Sequence, residues 1–156
     1  QFYDPTKVSH IWGLEPSAEM RERALRRAKN TTIDLQFLDL KAEEIPLDDK
    51  SADTVLVTYT LCTIHEVVKA LKGMRRVLKP GGRLIFCEHG KAPDENVRKW
   101  QERITPLWKV IGGGCHVGRP IPELIREGGF EIEKMETMYL PATPRFAGFN
   151  YWGSAK

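Results

Sequence analysis

The chain has 156 residues, 41% of them hydrophobic and 29% charged, with a formal net charge of +3. That length suits one globular domain with its own core. The small charge, with bases interleaved among acids, gives no nucleic-acid footprint, and no apolar run approaches the roughly 20 residues of a membrane span. Cys62, Cys87 and Cys115 show no CxxC spacing, which reads as reduced thiols of a cytoplasmic-type protein.

Residues 2–5 read as a helix tail or loop, and residues 8–14 as a strand leading to Glu15. Pro16-Ser17 then opens a helix to about residue 29, with Ser17 as its cap. Met20, Ala24, Leu25 and Ala28 form its apolar stripe. Early Glu19 and Glu22 and late Arg26, Arg27 and Lys29 match the helix dipole. Residues 33–38 alternate as a strand ending at Asp39, residues 45–47 pack, and residues 48–51 make a surface turn. Residues 54–59 are a β-branched run suited to a strand buried on both faces. From Ile64 the spacing changes: Ile64, Val67, Val68, Leu71, Met74 and Leu78 share one helical stripe, with Arg75, Arg76 and Lys79 at its far end. Pro80 stops that helix, Gly81-Gly82 allow a sharp return, and residues 83–87 form another buried strand. Strand, helix and strand make a right-handed βαβ crossover with parallel neighbours. Trp100, Ile104, Leu107, Trp108 and Ile111 place a helix over 94–110, ended by Gly112-Gly113-Gly114. A short helix over 122–128 ends at a glycine pair, and strands over 131–140 and 146–155 follow.

The run RRVLKPGGRLIFCE, preceded by the strand SADTVLVTYTL, resembles the class I S-adenosylmethionine-dependent methyltransferases. Within them it is similar to the branch of ubiquinone/menaquinone methyltransferases and small methyltransferase-like lipid and thiol enzymes. The resemblance runs from about Val8 to the C-terminus. It implies a Rossmann-like, doubly wound, mostly parallel α/β sheet with an antiparallel terminal strand pair. It also implies that residues 1–156 form a single methyltransferase domain lacking the first strand and glycine-rich turn that precede this region in the family.

The implied cofactor is S-adenosylmethionine. Glu15, at the carboxyl end of a strand, would accept its ribose hydroxyls; the alternative is a carboxylate capping the following helix. Ala42 and Glu43, with Asp39 behind them, stand where the family holds the adenine, although Lys41 replaces the commoner aspartate. The other reading of Glu43 and Glu44 is an exposed charged loop. Tyr59, Thr60 and Leu61 match positions that contact the methionine moiety. His65 and His89 are the candidate catalytic bases, His65 being also a surface or capping residue by its place at a helix start. His89 with Cys115 and His116 matches no compact ligand spacing, so no metal is expected. Residues 91–120 correspond to a lid over the acceptor, with Cys115, His116 and Arg119 at its rim; the alternative places the tryptophans in the core.

The expected activity is methyl transfer to a small, hydrophobic or lipid-like acceptor. Such a displacement needs alignment above all, and a base only if the acceptor must lose a proton. A nicotinamide oxidoreductase would share the acidic residue, but no Tyr-x-x-x-Lys pair is present: Thr63 follows Tyr59 by four. A non-catalytic module with the same shell is the remaining alternative.

Overall fold

The computed structural model describes residues 3–156. Phe2, part of the expected helix tail or loop, lies outside the described residues; residues 3–7 form bends and turns. Contacts divide the chain into two compact units, Gln1–Ile45 and Pro46–Lys156.

The first unit is a βαβ arrangement. β1 (His10–Leu14) and β2 (Asp34–Leu38) pair in parallel, from His10 opposite Asp34 to Leu14 opposite Leu38. α1 (Ala18–Ala28) connects them, and Ser17 caps it by accepting a hydrogen bond from the Met20 N–H at 3.3 Å. The expected buried stripe does not form: Met20 and Leu25 are about half exposed. Within this unit α1 has only a two-stranded ladder to cover, too narrow a surface for four apolar positions.

The second unit holds β3 (Ala52–Thr58), α2 (Val67–Val77), β4 (Leu78–His89), α3 (Glu95–Ile111), α4 (Ile121–Glu127), β5 (Ile132–Tyr139), α5 (Arg145–Gly148) and β6 (Phe149–Ala155). Its sheet runs β3-β4-β6-β5. β3 and β4 are parallel, and β6 is antiparallel to both β4 and β5. This is the expected α/β class with its antiparallel terminal pair. Val57, Leu84 and Phe86 from the sheet are buried along with Val67, Ala70, Leu71, Met74 and Val77 of α2. α2 packs on α4, where Gly128 lies so near Leu71 that an added Cβ would sit 2.5 Å from the leucine Cβ. Leu56 and Ile85, opposite each other in the β3–β4 ladder, are exposed.

Three boundaries differ from the sequence reading. α2 starts at Val67, not Ile64, because residues 61–66 turn to carry the chain away from β3. It ends at Val77, so Lys79 is not helical: Pro80 disfavours helical geometry in the residue before it, and Leu78 is already extended at φ −71° and ψ 133°. β4 therefore begins at Leu78. Residues 145–148 coil into α5 after Pro144, which delays β6 to Phe149.

Candidate active site

The loop leaving the carboxyl end of β3 is held from beneath by one carboxylate. Tyr59 adopts φ +50°, a left-handed conformation that turns the chain sharply out of the strand. The Glu88 side chain, fully buried near the end of β4, then accepts the Thr60 N–H at 2.8 and 3.1 Å and the Leu61 N–H at 3.2 Å. Burial pushes the Glu88 carboxyl up to about 7, against these hydrogen bonds and the Arg119 charge, which pull it down. Arg119 donates to the Leu61 carbonyl at 2.6 Å. Burial lowers the guanidinium's pKa, while Cys62, Cys115 and Glu88 draw it back up.

Tyr59 is about half exposed, and its hydroxyl donates to Asn150 Oδ1 at 2.8 Å. Leu61 is fully buried with both backbone polar groups engaged. Of the expected trio, Tyr59 and Thr60 keep partly exposed side chains, and the Thr60 hydroxyl donates to the Thr58 carbonyl at 2.9 Å. His65 is exposed, in the turns just before α2 rather than in the helix. His89 is only 8% exposed: its Nε2 lies 3.2 Å from Cys115 Sγ, and its Nδ1 is buried with no partner among the described residues. Burial lowers its pKa, favouring neutral imidazole. His116 is drawn the same way by burial, then by Arg119, Lys109 and His65.

Cys62, at the end of the β3 loop, completes this cluster. Its Sγ donates weakly to the Tyr59 carbonyl at 3.7 Å, and its carbonyl accepts the His116 N–H at 2.9 Å. Burial, then the neighbouring Cys115, raises the Cys62 thiol pKa strongly. Below it, Ile104 and Trp108 of α3 pack on Cys62, Cys115 and Val117. α3 is tied down by Gln101: its Oε1 accepts the Ala92 N–H at 3.0 Å, and its Nε2 faces the carbonyls of Gly90, Val117 and Phe146 at 2.9–3.0 Å. Sequence reading missed Gln101 and Asn150, and placed Cys62 only among the residues of the loop after β3. The signal for Gln101 was there, since it shares a helical face with Ile104 and Trp108.

In the first unit, Glu15 follows β1. Its Oε1 accepts the Ser17 N–H at 2.8 Å, the capping alternative, while its Oε2 has no hydrogen bond among the described residues. Arg21 grips the Glu15 carbonyl at 2.7 Å and the Asp39 carboxylate at 2.9 and 3.2 Å. Ala42 and Glu43 are partly buried after β2.

Known proteins share both the sequence and this architecture. A profile described as a methyltransferase domain matches residues 2–86. The thiol S-methyltransferase TMT1B of Homo sapiens is 32% identical over 95% of this chain and 64% of its own length. The ubiquinone/menaquinone biosynthesis C-methyltransferase UbiE of Brucella canis is 32% identical over 78% of this chain and 48% of its own. The chain thus spans about half to two thirds of the curated relatives it matches. A SAM-dependent methyltransferase from Methanosarcina mazei, at 16% identity, superposes with a TM-score of 0.73 over 96% of this chain and 82% of its own, which supports the fold. With the profile matching more than half of the residues, on the strand and LKPGG turn that first carried the resemblance, the chain belongs to the class I S-adenosylmethionine-dependent methyltransferases.

Proposed function

We propose that this protein transfers the methyl group of S-adenosylmethionine to the thiol of a small apolar molecule. The observation that carries the acceptor class is the similarity to thiol S-methyltransferase TMT1B, which extends along 95% of the chain and so takes in α3 and the terminal hairpin. S-adenosylmethionine supplies the methyl group and its own leaving group. Glu15 fits the ribose through its unengaged Oε2. By the family resemblance, Ala42 and Glu43 of the first unit correspond to adenine-end positions, and Tyr59 and Thr60 of the second unit to methionine-end positions. Residues 91–120 cover the acceptor: Trp100, Leu107 and Ile111 of α3 are exposed and offer apolar surface. A thiol acceptor must lose its proton, and His65, exposed at the end of the Tyr59 loop, is the base placed in solvent to take it. His89 is the second candidate base, neutral but buried against Cys115.

Calorimetric titration of the full-length protein with S-adenosylmethionine and S-adenosylhomocysteine tests the cofactor, with Glu15→Ala as control. Micromolar binding, about −8 kcal/mol, weakened in the variant supports the reading. Mass-spectrometric assay with alkyl thiols and quinols then tests the acceptor. Binding without thiol methylation refutes the acceptor class, and absence of binding refutes the enzyme assignment.

A further inference from the structure

We propose that Cys62, His89 and Cys115 form a binding site for a thiophilic divalent metal, with zinc the best match. The three ligand atoms lie within 4.8 Å of one another, and His89 Nε2 and Cys115 Sγ are already 3.2 Å apart. Tetrahedral zinc, with bonds of about 2.3 Å to sulfur and about 2.0 Å to nitrogen, sets sulfur and nitrogen roughly 3.5 Å apart and two sulfurs roughly 3.8 Å apart.

The three groups arrive from separate, well-anchored segments. Cys62 sits on the loop that Glu88 and Arg119 hold through Thr60 and Leu61. His89 ends β4, in register with Asn150 of β6. Cys115 follows the glycine turn after α3, where Gly113 and Gly114 take positive φ and the Cys115 N–H reaches the Gly112 carbonyl at 3.2 Å. All three side chains are at least nine-tenths buried, with Val117, Ile104 and Trp108 around the thiols.

Without a metal the donor atoms engage one another and the backbone: His89 Nε2 faces Cys115 Sγ at 3.2 Å, and Cys62 Sγ faces the Tyr59 carbonyl at 3.7 Å. Two thiolates offset the charge of a divalent cation. Binding forms two metal–sulfur bonds and one metal–nitrogen bond and releases two thiol protons to solvent. Three protein ligands leave the fourth position of a tetrahedral ion to water or an exogenous donor.

The test uses full-length protein, reduced and stripped with chelator, then titrated with Zn²⁺ and with Co²⁺ as a visible probe. Expected are one ion per chain, a sulfur-to-cobalt charge-transfer band, tetrahedral ligand-field absorption, and release of two protons per ion in calorimetry. Cys62→Ser and Cys115→Ser abolish the band while circular dichroism stays native. Cys87→Ser, a thiol on β4 outside the cluster, retains it. The proposal is overturned if the folded, reduced protein binds no ion more tightly than the Cys62→Ser/Cys115→Ser double variant, or if cobalt binds without the sulfur band. It is equally overturned if thiol counting finds Cys62 and Cys115 joined as a disulfide and the reduced protein takes up no metal.

Discussion

Replacing Glu88 by glutamine isolates the buried carboxylate under the Tyr59 loop. Glutamine keeps one oxygen where Glu88 Oε1 accepts the Thr60 and Leu61 amides, so the loop stays supported while the titrating proton is removed. Glu88 rises from an ordinary 4.5 to about 7 in the folded protein. Below 4.5, folded and unfolded chains both carry the proton and the group contributes nothing pH-dependent. Between 4.5 and about 7 the unfolded chain releases it and the folded one holds it, so wild-type stability falls as pH rises. That gap is worth about 3 kcal/mol at about 1.4 kcal/mol per unit. Above 7 both states are ionised and the loss stops growing. The glutamine variant has no such slope, so its stability relative to wild type climbs by about 3 kcal/mol across the window. Urea denaturation of both proteins from pH 5 to 8, with chelator present to keep Cys62, His89 and Cys115 metal-free, measures the difference. Parallel stability curves over that range would refute the claim that burial outweighs the two amides and Arg119.

Gln101→Leu strands the Ala92 N–H and the carbonyls of Gly90 and Val117 in the interior. At about 1–3 kcal/mol for each orphaned group, the expected loss is roughly 3–9 kcal/mol in denaturant unfolding; a loss below about 1 kcal/mol would mean the glutamine is not the clamp. Gly153→Ala would set a Cβ 1.9 Å from the Lys134 carbonyl oxygen, inside the β5–β6 ladder. Soluble yield and Tm fall sharply, because the obstacle is backbone and cannot rotate aside. Trp100→Ala, at a side chain 61% exposed, changes stability by no more than about 0.5 kcal/mol yet raises KM for apolar thiols. An unchanged KM across a series of thiol chain lengths removes α3 from the acceptor site.

The elements were legible because periodicity is local. The β-branched run before Tyr59, the stripe from Val67 to Met74 and the LKPGG return each announce themselves within a dozen residues. The boundaries at Ile64 and Lys79 were not. In the first case apolar residues continued the helical spacing through a stretch the loop needed; in the second, the effect of Pro80 reaches one residue backwards. The Cys62–His89–Cys115 cluster was only partly legible, His89 and Cys115 being weighed with His116 rather than Cys62, for another reason. Its members come from a loop, a strand end and a turn far apart in sequence, and ligand motifs are recognised by spacing only when one local element supplies at least two of them.

α3 shows how the two kinds of reading meet. The sequence pattern put Trp100, Ile104, Leu107, Trp108 and Ile111 on one apolar face, and only its Ile104–Trp108 edge binds the helix to the fold. The attached side carries Gln101, Ile104 and Trp108, while Trp100, Leu107 and Ile111 stand exposed beside it. Apolar burial alone would have drawn the wider stripe inward. Gln101 decides the rotation instead: its amide meets three carbonyls and an N–H at fixed points in two loops and α5, and leaving those groups unpaired costs more than exposing a leucine does. The helix is therefore held by a polar clamp that leaves Trp100, Leu107 and Ile111 exposed, the apolar surface that the proposed acceptor would contact.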